Sequence, residues 1–212
     1  MTELDELTKR RLVPVVILDR LADALPLAAA LERGGLPVAE VTLRSAAALD
    51  AIRLLSAESD LLVGAGTVIS PGQVDAAVAA GARFIVTPGL SERVVARCLA
   101  LDVPVIPGVA TATEIVAALD LGLTLLKFFP AEAAGGAAAL KALAAPFPQV
   151  RFVPTGGVTA ANAPGYLALD SVAAVGGSWM VAPALLAAGD FDAVARLAEE
   201  AVMLAAPTAA PR

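Results

Sequence analysis

One lysine of this chain stands where its amine could react with a carbonyl compound. The chain has only three lysines, and Lys127 lies in the segment LTLLKFFP, residues 123–130. Large apolar neighbours keep water away from an amine and so disfavour its ammonium form. A partly neutral lysine can attack a ketone and form a Schiff base. Taken alone, the segment is more typical of a lysine whose stem packs on apolar surface while its amine reaches water.

A carboxylate and a guanidinium occur close together in the segment EVTLR, residues 40–44. Side chains alternate along a strand, so Glu40, Thr42 and Arg44 would share one face. A carboxylate can move protons, and an arginine can bind the carboxylate of a keto acid through two hydrogen bonds. A structural ion pair between Glu40 and Arg44 is the alternative.

Two glycine pairs have the composition of a phosphate-binding site. Gly156 and Gly157 follow one predicted strand, and Gly176 and Gly177 follow another, directly before Ser178. Bare backbone N–H groups beside the start of a helix bind anions well. In eight-stranded barrels a phosphate commonly lies in the loops after strands seven and eight. We therefore expect a phosphate cradle here; two tightened turns are the alternative.

Two other predicted strand ends contain small or rigid residues. The run GAGT, residues 64–67, would let a ligand approach the backbone, and Thr67 offers a hydroxyl and an N–H; a tight turn explains the run equally well. The run TPG, residues 87–89, places Pro88 in a rigid turn. The second run is more typical of plain turn chemistry than of a binding site.

The absence of histidine excludes several reaction classes. No histidine occurs in the 212 residues, so Ser-His-Asp and Cys-His nucleophile systems are impossible. Histidine-bearing catalytic zinc sites are excluded too, and the one cysteine, Cys98, cannot replace them. Acid–base chemistry must depend on a carboxylate, a lysine, water or the lone Tyr166. We interpret Cys98 as a packing residue in a helix.

Composition indicates a soluble cytoplasmic protein. No apolar run reaches the about 18 residues that suggest a membrane span, and the acidic N-terminus does not resemble a secretory signal. Net charge is −6, and no basic run exists beyond residues 9–11, so nucleic acid is an improbable partner. A single cysteine is consistent with a reducing compartment.

Short apolar runs alternate with alanine-rich helical patterns along the whole chain, which predicts a (β/α)8 TIM barrel. The rival is an open doubly wound sheet, but its G-x-G-x-x-G turn after the first strand is absent. We predict a single domain over residues 1–212, with a short N-terminal helix at Thr2–Arg11 and a frayed tail from about 205. The predicted strands are Val13–Leu18, Val38–Leu43, Leu61–Gly66, Phe84–Thr87, Val105–Pro107, Thr124–Phe128, Phe152–Thr155 and Ser171–Val175. The predicted helices are Ala22–Arg33, Ser45–Ala57, Pro71–Ala80, Ser91–Ala100 and Thr113–Leu121, with Ser45 and Ser70 as candidate caps.

The joint layout is more specific than any single motif. In a barrel the carboxyl ends of the strands share one rim, so Lys127, Glu40 and Arg44 would meet beside the phosphate cradle. An enzyme that acts on a phosphorylated carbonyl compound needs this set. The lysine would form an imine, the imine would accept electrons as a carbon–carbon bond breaks, and the glutamate would move protons.

Six segments resemble the 2-keto-3-deoxy-6-phosphogluconate (KDPG) aldolase family in order and spacing, over about Val13 to Val202. They are EVTLR (40–44), GAGTV (64–68), TPG (87–89), KFFPAE (127–132), PTGGV (154–158) and GGSW (176–179). The resemblance implies a class I aldolase, an aldehyde-lyase that cleaves KDPG to pyruvate and glyceraldehyde 3-phosphate in the Entner–Doudoroff pathway. It also implies cleavage of 4-hydroxy-2-oxoglutarate (KHG) to pyruvate and glyoxylate.

The resemblance implies a role for each matching residue. Lys127 matches the Schiff-base lysine and Glu40 the general acid/base. The residues that match the substrate pocket are Arg44 and Thr67 for the pyruvate carboxylate, Pro88 beside the base, Phe129 as a wall, and Thr155 for the sugar-acid hydroxyls. The residues that match the phosphate site are Gly156, Gly157, Gly177 and Ser178. Thr155 favours the gluco-configured substrate. The turn at residues 18–20 matches no motif, so strand one receives no role.

The resemblance further implies a homotrimer that needs no cofactor and no metal and has no nucleic-acid or membrane partner. Two rivals stay open. One is a sugar-phosphate epimerase or isomerase, although such enzymes often use histidine or a metal with paired acids. The other is a non-catalytic barrel scaffold, against which the intact Lys127, Glu40 and Arg44 speak.

Overall fold

The computed structural model of the chain describes residues 3–206. Parallel strands and helices alternate along that range, which confirms the predicted α/β class. The strands are β1 (Leu12–Val16), β2 (Val38–Thr42), β3 (Leu62–Gly66), β4 (Phe84–Val86), β5 (Val105–Ile106), β6 (Gly108–Val109), β7 (Leu125–Phe128), β8 (Arg151–Pro154) and β9 (Val175–Gly177). The helices are α1 (Glu3–Lys9), α2 (Ala24–Arg33), α3 (Ala48–Glu58), α4 (Pro71–Ala79), α5 (Glu92–Ala100), α6 (Ala112–Asp120), α7 (Gly136–Ala144), α8 (Ala163–Leu167), α9 (Pro183–Ala188) and α10 (Phe191–Ala205). Two 3₁₀ turns lie at Leu21–Asp23 and Trp179–Val181.

The strands form two parallel sheets rather than one continuous ladder. One sheet has the order β5-β4-β3-β2-β1-β9, and the other has the order β6-β7-β8. Pro107 separates β5 from β6, because a proline has no N–H to donate to the ladder. Two isolated bridges connect the segment around β8 with the segment around β9, one between Phe152 and Val172 and one between Thr155 and Gly176.

The position of the last strand differs from the prediction. We predicted a strand at Ser171–Val175, and the structure places β9 at Val175–Gly177. The glycines interpreted as a loop are part of the strand, since Gly176 pairs with Val13 and Gly177 pairs with Pro14. Residues with no side chain give no β propensity, so the sequence pattern ended the strand too early.

Burial follows from the parallel arrangement. Every residue of β1, β2 and β3 is buried, as expected for strands covered by helices or neighbouring strands on both faces. The buried apolar residues form one cluster that runs from Leu7 in α1 to Ala205 in α10. No helix among residues 3–206 combines the length and apolarity that a membrane span requires.

Helix starts agree with the sequence in part. Ser70 caps α4, accepting a hydrogen bond from the N–H of Gln73, with Pro71 in the first turn as predicted. Ser45 is not a cap, because its Oγ donates to the carbonyl of Leu18 at 2.5 Å and α3 begins three residues later. The predicted N-terminal helix is observed as α1; Thr2 and the tail after 206 lie outside the described residues.

Candidate active site

Every residue predicted to form the site lines one cavity of about 430 Å³ beside the carboxyl ends of the strands. The residues that line it are Val15, Ile17, Glu40, Thr42, Arg44, Thr67, Pro88, Lys127, Phe129, Thr155, Gly156, Gly157, Val158, Gly177, Ser178, Val181 and Pro183. The expectation that Glu40, Thr42 and Arg44 share one face is therefore confirmed. The fold brings together segments that lie far apart in the sequence.

A buried ion pair lies at the bottom of this cavity. The Lys127 Nζ is 3.2 Å from the Glu40 Oε1, and the two side chains are 7% and 3% exposed. The same nitrogen lies 5.3 Å from the centroid of the Phe129 ring. The amine thus points into the cavity and not into bulk water, which removes the alternative of a surface lysine. Glu40 pairs with Lys127, so the alternative of a Glu40–Arg44 ion pair is wrong.

Gly66 gives Glu40 its space. A Cβ on Gly66 would lie 2.2 Å from the Glu40 Oε1 and 2.6 Å from its Cγ, closer than any real contact. From the sequence alone, this glycine is expected to serve a ligand approach or a tight turn. Its observed function is to let a carboxylate from β2 lie across β3, which holds the carboxylate next to the Lys127 amine.

The mouth of the cavity holds a positive charge without a protein partner. Arg44 is exposed, and among residues 3–206 no acceptor binds its guanidinium. Thr42, which precedes it on the same face, is 1% exposed and donates from Oγ1 to the carbonyl of Val16 at 2.9 Å. Only Arg44 of this pair is available to an anionic ligand.

Thr67 lies at the same mouth in a strained conformation. Its φ is +59°, in the left-handed region that a β-branched residue rarely adopts. Strain of this kind persists where the surrounding structure enforces it and is frequent at ligand sites. The turn directs Thr67 into the cavity, beside Pro88 of the next loop.

The far side of the cavity is made of backbone. Gly156 and Gly157 have φ of +99° and +77°, which a side chain would strain. The N–H groups of Gly157 and Val158 donate to no acceptor among the described residues. Ser178 is exposed at the start of a 3₁₀ turn, across from them. Free N–H groups and a hydroxyl together can bind an anion such as a phosphate.

Thr155 directly precedes this backbone and lines the same cavity. It is 6% exposed, and its Oγ1 donates to the carbonyl of Val153 at 3.3 Å. A Cβ on Gly176 would lie 2.3 Å from that Oγ1, so Gly176 makes room for the threonine. Gly177 has a comparable role, because its Cβ would overlap the Trp179 ring.

A family model described as KDPG and KHG aldolase matches residues 4–197. The chain belongs to the KDPG and KHG aldolase family. The KHG/KDPG aldolase of Escherichia coli K12 is 49% identical over 197 residues, which cover 92% of each chain.

Solved structures of this family are similar over most of the chain. A KDPG aldolase from Legionella pneumophila, with pyruvate captured at low pH as a covalent carbinolamine intermediate, has a TM-score of 0.87 at 44% identity and covers 90% of this chain and 93% of its own. The KDPG aldolase of Zymomonas mobilis ZM4 with 3-phosphoglycerate has a TM-score of 0.89 at 43% identity and covers 95% of both chains.

The structure adds wall residues that the family resemblance had not assigned. Val15 and Ile17 line the cavity from β1 and the residues after it, and Val181 and Pro183 line it from the segment after β9, the strand that pairs with β1. Strand one therefore does contribute to the pocket. Val15 and Ile17 are two residues apart, so strand alternation could have identified them once one was placed.

Proposed function

We propose that this aldolase-family protein is a class I aldolase that cleaves KDPG to pyruvate and glyceraldehyde 3-phosphate. The observation that carries the proposal is the buried Lys127 amine, 3.2 Å from the Glu40 carboxylate inside the cavity. A carboxylate at that distance can take the ammonium proton and leave a nucleophilic amine. The covalent carbinolamine of the Legionella relative supports the same chemistry here.

The reaction begins with proton transfer from Lys127 to Glu40. The neutral amine attacks the C2 ketone to give a carbinolamine. Glu40 returns its proton to the carbinolamine hydroxyl, which leaves as water, so a protonated imine forms and Glu40 is a carboxylate again. Glu40, directly or through a water molecule, then takes the proton of the C4 hydroxyl. The C3–C4 bond breaks, its electron pair moves into the imine, and the aldehyde leaves. Protonation of the enamine at C3 and hydrolysis of the imine release pyruvate and restore the amine.

The remaining polar groups bind the two ends of the substrate. Arg44 and Thr67 hold the carboxylate, and a guanidinium suits this task because it donates two parallel hydrogen bonds. Pro88 and Phe129 bound the reacting centre, and Thr155 contacts the sugar-acid hydroxyls and favours the gluco configuration. The phosphate binds at Gly156, Gly157, Gly177 and Ser178. The 3-phosphoglycerate in the Zymomonas relative supports a site for a phosphorylated acid.

Cleavage of KHG to pyruvate and glyoxylate is a second activity of the same site. KHG has the keto acid end but no phosphate, so it would use Lys127, Glu40 and Arg44 and leave the glycine loop empty. The double name of the Escherichia coli relative supports this activity.

We also propose that the strands close into one (β/α)8 barrel domain. Two features support closure: β5 continues through Pro107 into β6, and two bridges join the segments of β8 and β9. The single cluster of buried residues supports one domain over the chain. A homotrimer in the cytoplasm remains part of the proposal through the family resemblance.

Coupled assays test this function directly. Purified protein with KDPG should produce pyruvate, detected by lactate dehydrogenase and NADH, and Lys127→Ala should abolish it. Lys141→Ala is the matched control, because Lys141 is an exposed lysine on α7 outside the cavity. Lack of pyruvate with the wild-type protein, or substantial turnover by Lys127→Ala, would contradict the proposal.

A further inference from the structure

Two residues near the cavity have no task in the proposed reaction and yet are bonded to each other. Tyr166, the one tyrosine of the chain, is 0% exposed in α8. Glu132 closes the KFFPAE segment after β7 and is exposed. The phenol of Tyr166 donates a hydrogen bond to the Glu132 Oε1, across 34 positions of sequence. Neither residue lines the cavity.

Glu132 is in direct contact with the glycine loop. Its backbone N–H donates to the carbonyl of Gly156 at 3.0 Å. A Cβ on Gly157 would lie 2.7 Å from both the Cβ and the Cγ of Glu132, so this loop packs against the glutamate stem. The preceding residue, Ala131, donates in the same way to the carbonyl of Thr155 at 2.8 Å. The segment that ends at Glu132 thus forms the outer wall of the loop.

Asn162 holds the loop from its other end. Its Nδ2 donates to the carbonyl of Gly157 at 3.0 Å, and its Oδ1 accepts from the N–H of Thr159 at 2.7 Å. The carbonyls of Gly156 and Gly157 are therefore both bound by groups behind the loop. The N–H groups of Gly157 and Val158 have no acceptor within residues 3–206.

We propose that Tyr166, acting through Glu132, is a positioning residue for the phosphate end of the substrate. The phenol fixes the glutamate side chain. The glutamate fixes the Gly156–Gly157 backbone in the left-handed conformation, which presents the free N–H groups of Gly157 and Val158. Positioning of this kind matters because small displacements of a binding group cost large factors in rate. The inference rests on the proposed function and concerns only its phosphorylated substrate.

The phenol is suited to a constant structural task. Burial, and then the hydrogen bond to the Glu132 carboxylate, raises the pKa of Tyr166 above its ordinary value. The hydroxyl therefore stays protonated and donates throughout the pH range in which the enzyme is assayed. If Tyr166 had a purely structural role, its buried phenol would need only some hydrogen-bond partner. Loss of that hydrogen bond would then lower the activity on KDPG and on KHG equally.

The test compares KDPG with KHG in Tyr166→Phe and Glu132→Ala. Both changes remove the hydrogen bond. Tyr166→Phe keeps the buried ring and leaves an exposed carboxylate that water can solvate. This variant is therefore expected to fold even where Glu132→Ala, which removes the acceptor of a buried phenol, does not. We expect KM for KDPG to rise about 10-fold, since a hydrogen bond to a charged acceptor is worth roughly that factor. The kinetic constants for KHG should stay within about 2-fold of wild type, because KHG does not reach the loop.

Three controls separate positioning from stability. Glu132→Gln keeps an oxygen that accepts from the phenol, and it should recover most of the KDPG affinity. Ser56→Ala removes a hydrogen bond to a glycine carbonyl outside the cavity, the one to Gly81 at 3.0 Å, and should change neither substrate. Inorganic phosphate should compete with KDPG in the wild type, and its inhibition constant should rise in Glu132→Ala.

The outcomes distinguish this inference from the function on which it rests. A wild type that does not cleave KDPG contradicts the proposed function itself. A wild type that cleaves KDPG, with folded variants that keep the wild-type ratio of KDPG to KHG activity, contradicts only the positioning role. Equal losses on both substrates likewise overturn it, because they indicate a general structural defect.

Discussion

Lys127 and Glu40 form a charged pair that the fold removes from water almost completely. Such a pair contributes little net stability, since the loss of hydration offsets the attraction. Its position inside a cavity indicates a catalytic role, because a proton can pass between the two groups when a ligand binds. At the level of single residues, the sequence identified both members but could not show that Gly66 makes their contact possible.

Gly66→Ala tests that steric argument. The new Cβ would lie 2.2 Å from the Glu40 Oε1, so the carboxylate must move away from the amine. We expect kcat/KM for KDPG to fall about 100-fold, within the usual range for one general acid–base group. Gly72→Ala is the control, because nothing lies within 4 Å of a Cβ at that position in α4. Wild-type activity in Gly66→Ala would show that Glu40 does not need its observed place.

The starts of the helices α3 and α4 could be predicted from the sequence to different degrees. Ser70 is a cap because its side chain accepts from the N–H of Gln73, three positions further along the chain. Ser45 has a similar local sequence, but its hydroxyl donates to the carbonyl of Leu18, two residues after the end of β1. Local patterns predict an element when its partners are local, and they fail when a distant backbone group competes.

The start of α6 gives a pH-dependent prediction. The Glu114 carboxylate accepts from the N–H of Ala110 and from Thr111, and these hydrogen bonds lower its pKa. A carboxylate whose pKa is lower in the folded than in the unfolded protein stabilises the fold above the unfolded pKa, which is about 4.3 for glutamate. That contribution to the free energy of unfolding is lost as the pH falls through the folded pKa. The free energies of unfolding in urea should therefore differ between wild type and Glu114→Gln at pH 7, and the difference should shrink toward pH 3.

Glu92→Gln is the control for that comparison, since Glu92 begins α5 without a side-chain hydrogen bond among the described residues. Its stability should follow wild type at both pH values. A gap between wild type and Glu114→Gln that stays constant with pH would mean that the carboxylate charge does not support this cap.

The whole molecule explains why distant motifs act together. Parallel strands end at a common rim, so residues between positions 40 and 178 meet in one cavity. The repeated strand–helix pattern predicted that arrangement and most strand positions. It could not predict the break at Pro107 or the contact of Tyr166 with Glu132, because both depend on three-dimensional pairing rather than on local periodicity.

The buried thiol of Cys98 predicts how the stability of the whole protein depends on pH. It is 0% exposed in α5, and burial raises the pKa of its thiol to about 11. A raised thiol pKa leaves stability intact below the unfolded value of about 8.5 and removes it as pH rises toward the folded value. The free energy of unfolding should fall between pH 8 and pH 10.5 more steeply in wild type than in Cys98→Ala. Parallel slopes would contradict the burial of the thiol in solution.

The most direct measurement of the central claim is trapping with borohydride. The protein is incubated with pyruvate, reduced with borohydride and digested, and the masses of its peptides are measured by mass spectrometry. We predict that the peptide containing Lys127 gains the mass of a reduced pyruvyl adduct, and that the peptides containing Lys9 and Lys141 do not. A reduced adduct on another lysine, or no adduct under conditions in which KDPG is cleaved, would contradict Schiff-base catalysis by Lys127.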